Sequence, residues 1–157
     1  MTVASTLLSS SNQTGDEATE TLLTARRVLA TALCPPPPDG VRAWIGEYLA
    51  ALDEAESLLR RHSEICGSED GPLLHLGQQR PRLQPQIVTR LDEHDTMLSQ
   101  IESLRSRALD LPGDDAKALA SLSYDTLLCE GRMFAHLNGV LDLVFEATHV
   151  DIGGEGG

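Results

Sequence analysis

The feature that most constrains this fold is a long helical seam between Leu119 and Ala147. Apolar positions recur there at alternating steps of three and four residues, the spacing that places side chains on one face of an α-helix. The seam consists of Leu119, Leu122, Thr126, Cys129, Met133, His136, Val140, Leu143 and Ala147. Because His136 belongs to this seam, we expect its imidazole to point toward the interior.

Two other segments repeat this pattern, and each also contains a histidine. One seam reads Ile45, Tyr48, Leu52, Ala55, Leu59, His62 and Cys66, and the other reads Ile87, Leu91, His94, Leu98, Ile101, Arg105 and Ala108. A single buried histidine is usually an ordinary hydrogen-bonded core residue. Three of them on three helices fit that explanation less well, because an aliphatic core offers few polar partners. The pattern therefore predicts a shared polar site formed by His62, His94 and His136.

The chain of 157 residues has the length of one domain, and its scarcity of aromatic residues (3%) is typical of a helical protein. Proline and glycine divide it into four long segments with helical period. We expect the first two helices over about Asp16 to Cys34 and Val41 to Cys66. The third should begin near Pro81 or Pro85 and end before Pro112, and the fourth, capped by Asp114 and Asp115, should run to about Thr148. The prediction is an all-α, up-down-up-down antiparallel four-helix bundle over residues 17–148, with a disordered tail over 1–16 and a flexible glycine-rich tail over 149–157.

Charge and cysteine content narrow the classes of partner. A formal net charge of −12 disfavours nucleic acid and anionic membrane surfaces. No apolar run approaches the length of a membrane span, and the first sixteen residues do not look like a secretory signal. Cys34, Cys66 and Cys129 show no metal-binding or disulfide spacing and read as reduced thiols. We therefore expect a cytoplasmic protein, a monomer or homodimer, with a small-molecule partner.

Three stretches carry a resemblance to a known family. They are LLRRHSEICGSEDGPLL at 58–74, RPRLQPQIVTRLDEHDTML at 80–98, and HLNGVLDLVFEATHVDIGG at 136–154. In order and spacing they resemble the histidine-bearing helices of hemerythrin-like proteins of the HHE cation-binding type. The resemblance implies a four-helix bundle whose interior histidines and carboxylates hold iron.

The chain departs from that family at several ligand positions. Cys66 and Gly67 follow His62 where a carboxylate is expected, and Val140 follows His136 with Asp142 displaced by one step. Leu98 stands one turn after His94, where hemerythrins carry a second histidine, and the first helix has no histidine. The resemblance therefore implies a degenerate metal site, because a di-iron centre needs bridging carboxylates.

Two kinds of site remain open. In the first, a single Fe or Zn ion lies on His62, His94 and His136, with Asp142 or Cys66 as fourth ligand. In the second no metal is bound, and Arg26 binds an anionic or carbonyl-bearing ligand while the three histidines act as general acid and base. The pocket of this second site would be lined by Leu59, Cys66, Leu98, Cys129, Met133 and Val140.

Three functions follow from these sites. The leading hypothesis is a decayed hemerythrin-like site reused as an internal small-molecule pocket, as in a metal-independent biosynthetic enzyme of cyclase or isomerase type. The alternative is a metal-binding protein, mononuclear or di-iron, that handles dioxygen, nitric oxide or redox stress. The third is a non-catalytic interaction module.

Overall fold

The computed structural model of this chain describes residues 3–33, 40–112 and 115–149, with side chains described from residue 13 onward. Within these ranges every regular element is a helix and none is a strand, so the all-α prediction is confirmed. Four helices are long: α1 (Val3–Ala32), α2 (Val41–Gly67), α4 (Gln84–Leu109) and α5 (Ala116–His149). A short helix, α3 (Pro72–Gln79), and a 3₁₀ turn (Pro81–Leu83) connect α2 to α4.

The four long helices pack as a ring in which each contacts two long neighbours. Helix α1 packs on α2 and α5, and α4 packs on α2 and α5. This arrangement encloses the seams that the sequence predicts. No helix in the described ranges is long and apolar enough to cross a membrane.

The buried faces of α2 and α5 follow the predicted seams closely. On α2 the only change is that Trp44 replaces Ile45 at the first position. On α4 the inward face is rotated slightly, so that Met97 and Leu104 are buried in place of Leu98 and Arg105, and Leu91 is only partly buried. The reason is that the Arg105 guanidinium forms ion pairs with Asp53 and Glu56 of α2 and stays at the surface edge of the helix pair. On α5 Leu137 is buried in addition to the predicted seam, whereas Leu119 and Val140 are only partly buried. The buried residues of α5 are Leu122, Thr126, Cys129, Met133, His136, Leu137, Leu143 and Ala147.

Helix α1 differs most from the prediction. It begins at Val3, so most of the predicted disordered tail over 1–16 is helical. The polar residues of that stretch include no proline, and the Thr14 hydroxyl donates a hydrogen bond to the Asp70 carbonyl at 3.1 Å. The helix ends at Ala32; the four prolines, Asp114, and the predicted tail from residue 150 lie outside the described residues. Asp115 caps α5 as predicted, since its Oδ1 accepts a hydrogen bond from the Ala118 amide at 2.9 Å.

The core consists of two apolar clusters with the three histidines between them. The larger cluster includes Leu59 of α2, Met97 of α4 and Met133 of α5. The smaller cluster includes Cys66, Ile87 and Leu143 of the same three helices, together with Ala18 of α1. On α2 and α4 the histidine separates the residues of the two clusters, and on α5 the boundary falls at His136 and Leu137, the last residue of the larger cluster. The polar site therefore forms a layer across the bundle.

Candidate metal centre

His62, His94 and His136 meet in the interior through their Nε2 atoms. The Nε2 atom of His136 lies 3.2 Å from that of His62 and 3.1 Å from that of His94. Each residue is only 2% exposed. The convergence of these residues follows from their helical phase, because each occupies the inward position at the same level of its own helix. The shared histidine site is therefore present as a direct contact of three rings from three helices.

The outer nitrogens of two of these rings are fixed by acceptors. His62 Nδ1 donates to the Ala18 carbonyl at 2.7 Å, because a carbonyl oxygen can only accept. His136 Nδ1 lies 2.7 Å from Glu93 Oε2, and Glu93 is held in turn by the Arg90 guanidinium at 2.8 Å. A neutral imidazole with its proton on Nδ1 presents a lone pair at Nε2. The Nε2 atoms of His62 and His136, 3.2 Å apart, are therefore both unprotonated when their rings are neutral.

The local environment keeps the three imidazoles neutral. Burial, with His136 and His62 nearby, lowers the pKa of His94 to about 3. Burial, with His62 and the Arg90 guanidinium nearby, lowers the pKa of His136 to about 3. Burial also lowers the pKa of His62, although its hydrogen bond to Ala18 opposes part of that shift. Neutral imidazole is the form that binds metal ions.

Cys66 completes the cluster. Its Sγ atom lies 3.5 Å from His62 Nε2, and it is fully buried. One ligand atom from each of His62, Cys66 and His94 lies within 4.8 Å of the others. Burial alone raises the pKa of this thiol to about 12, so the thiolate would form only with a cation beside it.

Three separations within the cluster are close to those expected between the ligands of a tetrahedral metal ion. Metal–nitrogen bonds of 2.0–2.1 Å and metal–sulfur bonds of 2.3 Å at tetrahedral angles place two nitrogens about 3.3 Å apart, and a nitrogen and a sulfur about 3.5 Å apart. The measured separations are 3.1 and 3.2 Å between nitrogens and 3.5 Å between nitrogen and sulfur. The ligand atoms that all lie within 4.8 Å of one another belong to His62, Cys66 and His94, and His136 contacts two of these residues from beside the group. These residues could therefore hold one small transition-metal ion.

The structure does not bring Arg26 to the histidines. Ala25 occupies the buried position on α1, and Arg26 lies on the flank of the helix. Its Nε and Nη2 atoms donate to Glu130 Oε1 at 3.0 and 2.5 Å, and its guanidinium lies 4.5 Å from the centre of the Phe134 ring. Since Arg26 follows Ala18 by eight residues, it stands about 12 Å along the helix from the carbonyl that His62 contacts.

The other predicted residues fall into three groups. Asp142 is exposed on α5 and has no place at the cluster. Leu59, Cys129 and Met133 are fully buried in the larger apolar cluster, against which Leu98 packs, whereas Val140 packs against the smaller cluster. These side chains pack around the histidine layer and do not line a pocket of their own.

Two contacts of the site were missed by the sequence reasoning. Glu93 was assigned no contact with His136, although its position immediately before His94 was a usable signal. The Ala18 carbonyl left no signal at all, because any residue supplies a backbone oxygen. Helix α1, which lacks a histidine, thus contributes to the layer through its backbone.

A cleft between α4 and α5 reaches the site from the surface. It has a volume of about 210 Å³ and is lined by Glu93, Thr96, Met97, Arg132, Ala135 and His136. His136 and Met97 form its buried floor. The Glu93–His136 pair is therefore the part of the site nearest to solvent.

Comparisons with models of protein families, with curated proteins and with solved structures give no match for this chain.

Proposed function

We propose that this protein binds one transition-metal ion at His62, His94 and His136, with Cys66 as the fourth ligand, inside a hemerythrin-like four-helix bundle. The observation that carries the proposal is the 3.2 Å separation between His62 Nε2 and His136 Nε2, which both carry lone pairs when each Nδ1 donates to its acceptor, Ala18 or Glu93. Two such lone pairs repel unless a cation lies between them. Ligating histidines ordinarily donate their other nitrogen to a carbonyl or a carboxylate, as Ala18 and Glu93 allow here.

The ligand set favours a single zinc ion. Three imidazoles and one thiolate in a tetrahedral arrangement suit Zn²⁺, which binds nitrogen and sulfur ligands and has no geometric preference of its own. Two iron ions would need bridging carboxylates, and the nearby carboxylate of Glu93 contacts the outer nitrogen of His136. With four protein ligands the site would be closed, so the ion would cross-link α2, α4 and α5. The folded population would then depend on metal supply.

The resemblance to hemerythrin-like proteins supports a metal site inside a four-helix bundle. The contacts between neighbouring helices support the same bundle, because they indicate that the neighbours run in opposite directions. Glu17 of α1 pairs with Arg61 of α2, and Thr14 of α1 donates a hydrogen bond to Asp70 in the loop that follows α2. Since lower numbers on one helix meet higher numbers on the other, the two helices run antiparallel. Helices α2 and α4 are also antiparallel, because His62 meets His94 whereas the earlier Asp53 meets the later Arg105. Helices α4 and α5 are antiparallel for the same reason, since Glu93 meets His136 and the later Arg107 meets the earlier Asp125. These contacts support an up-down-up-down topology.

Cobalt substitution would test the proposal directly. Purified protein stripped with a chelator should take up one Co²⁺ per chain and develop the intense visible absorption of tetrahedral Co²⁺. A thiolate-to-cobalt charge-transfer band in the near ultraviolet should also appear. Excess Zn²⁺ should displace the Co²⁺ and abolish both signals.

The chain offers a matched control for the thiolate. Cys66→Ser should lose the charge-transfer band and weaken binding, whereas Cys129→Ser should keep both, because Cys129 is equally buried but lies in the larger apolar cluster. Absence of cobalt uptake by the wild-type protein would refute the metal site. Uptake of two ions per chain would instead support the di-iron alternative.

The cleft beside His136 favours a second candidate, a metal-independent enzyme that binds a small molecule between α4 and α5. The Glu93–His136 pair would then act as acid and base, with the Arg132 side chain beside it. Ligand binding or turnover that persists after exhaustive chelation and is lost in His136→Gln would select this candidate over the metal site.

A further inference from the structure

The outer face of α5 carries a second apolar seam, and we propose that it is the interface of an antiparallel homodimer. The seam, named here the outer seam, consists of Tyr124, Leu127, Gly131, Phe134, Asn138, Leu141 and Phe145. These positions alternate in steps of three and four residues for three heptads, the spacing of a coiled-coil interface. They lie on the side of the helix opposite the buried residues, so they take no part in the core.

The exposure of the outer seam is unusual within this molecule. Seven of the nine large hydrophobic side chains exposed in the described residues belong to α5. Tyr124 and Phe145 are each 61% exposed, and Leu127, Phe134 and Leu141 are 48–50% exposed. Both phenylalanines of the chain lie on this seam, whereas the outer faces of α2 and α4 carry mainly charged and polar residues. Large contiguous apolar surfaces of this kind mark interaction sites.

The sequence of the outer seam suits a second copy of the same chain. A two-fold axis at Phe134 would pair Leu127 with Leu141 of the second copy, and Tyr124 with Phe145. It would also place Gly131 opposite Asn138, and a Cβ atom added at Gly131 would meet nothing within 4 Å. An isologous dimer requires this kind of self-complementary patch. An exposed glycine in the middle of a helix lowers stability by about 1 kcal/mol relative to alanine. Gly131 would offset this loss by allowing a second helix to pack closely.

The available area matches that of a stable dimer. The exposed parts of the large apolar side chains of α5 offer on the order of 500 Å² per chain, taking about 200 Å² for a whole aromatic and about 100 Å² for a whole aliphatic side chain. A standard interface buries about 800 Å² per partner, of which about 65% is apolar in homodimers. The outer seam, together with Leu128 and Val144 on its flanks, thus supplies the apolar portion of one such interface.

The charge distribution directs contact to this face. Between Tyr124 and Phe145 only Asp125, Glu130, Arg132 and Asp142 are charged, although the chain carries a net charge of −12. Asp125 and Glu130 are already paired, with Arg107 and Arg26. Two copies would repel each other through most other surfaces but only weakly through the outer seam.

Analytical ultracentrifugation with designed variants tests this proposal. The wild-type protein should sediment at twice the chain mass of 16.9 kDa. Leu127→Glu should weaken association about a hundredfold or more, because it places two carboxylates against apolar partners. Val88→Glu is the matched control, since Val88 is 45% exposed on α4 and lies outside the seam. Circular dichroism should show equal helix content in all these proteins.

A charge-pair rescue tests the direction of the helices. In an antiparallel dimer, the double variant Leu127→Glu with Leu141→Lys faces each glutamate with a lysine and should restore dimerisation. In a parallel dimer the same variant would face like charges and remain monomeric, which would overturn the antiparallel arrangement.

Three other outcomes would overturn the proposal. They are a monomeric wild-type protein, a Leu127→Glu variant that still dimerises, and equal disruption by Val88→Glu. A monomeric wild type that sediments with phosphatidylcholine vesicles through Leu127 would assign the outer seam to a lipid surface instead.

Discussion

The Glu93 carboxylate accepts a hydrogen bond from His136 Nδ1 at 2.7 Å and so joins α4 to α5 at the edge of the histidine layer. The Arg90 guanidinium, one turn earlier on α4, contacts the same carboxylate. This chain of contacts determines which nitrogen of His136 faces His62 and His94. The orientation of the ring therefore depends on a residue that does not itself enter the cluster.

Glu93→Gln should weaken metal binding by about 10-fold to 100-fold, because the neutral amide orients and polarises the imidazole less strongly. Competition with a chromophoric chelator measures the change. The control is Glu102→Gln, which removes a similar contact on α4, between Glu102 and Arg105, far from the site. Equal affinities in the two variants would contradict the positioning role of Glu93.

His62→Leu should remove metal binding without destabilising the metal-free protein. The substitution takes away a buried polar ring of similar size, so the free energy of unfolding without metal should stay within about 1 kcal/mol of wild type or rise. Metal at a hundredfold excess over its dissociation constant should stabilise the wild type by about 2.7 kcal/mol and leave the variant unchanged. Urea unfolding with and without Zn²⁺ measures both quantities, and His149→Leu, at an exposed position, should behave as wild type. A large loss of stability in metal-free His62→Leu would show that the ring is a structural hydrogen-bonding residue.

Arg26→Met should affect stability and leave the site untouched. Arg26 forms a half-buried ion pair with Glu130, which connects α1 to α5. A double-mutant cycle with Glu130→Gln should give a coupling energy of about 0.5–1 kcal/mol, and metal affinity should not change. Loss of metal or anion binding in Arg26→Met would instead restore this arginine to the functional site.

Tyr48→Phe should alter the response of stability to alkaline pH. The Thr126 hydroxyl donates to the Leu122 carbonyl at 2.7 Å, so the Tyr48 hydroxyl donates to Thr126 across 2.6 Å. Burial raises the pKa of Tyr48 from 10.0 to about 12. Above pH 10 the unfolded chain loses this proton while the folded chain keeps it, so stability is full below pH 10 and falls as the pH rises toward 12.

The slope that Tyr48 contributes to this loss approaches about 1.4 kcal/mol per pH unit. The variant should be less stable by about 1 kcal/mol at neutral pH and should lack this part of the alkaline loss. Urea unfolding of both proteins across the alkaline range checks the difference. The pH profile of the variant has to be subtracted from that of the wild type, because the buried thiols of Cys66 and Cys129 also have raised pKa values and contribute to the alkaline loss of stability. Identical pH profiles would show that the Tyr48 hydroxyl is accessible to water.

Helical period alone was sufficient to predict most of the core. Because each seam repeats over many turns, the direction of its buried face does not depend on any single position. The seams therefore predict correctly that His62, His94 and His136 point inward. Helical period gives less guidance on α1, where the structure does not bring Arg26 to the predicted site. On α1, Ala25 and Arg26 differ by about 100° of rotation, and the alanine-rich sequence there gives little contrast between faces.

Contacts between helices were less predictable than helical faces. Helical period alone does not decide whether Glu93 or Asp142 lies beside His136, because this depends on how far one helix slides and rotates against the next. The start of α1 was misjudged for a different reason. A polar composition was interpreted as disorder, yet the stretch contains no residue that prevents a helix before Gly15.

The division of the core by the histidine layer has a consequence for how cooperatively the protein unfolds. Trp44, the only tryptophan, stacks on Tyr48 at a ring distance of 5.0 Å inside the larger apolar cluster, so its fluorescence reports that side of the layer alone. Without metal, only contacts between neutral rings join the two clusters at this layer, and we expect the smaller cluster to open at a lower denaturant concentration than the surroundings of Trp44. With an ion bound to three helices, the two halves become one cooperative unit. In the metal-bound protein, the unfolding curves from fluorescence and circular dichroism should then coincide. In the metal-free protein, the difference between the two midpoints would measure how strongly the ion couples the clusters.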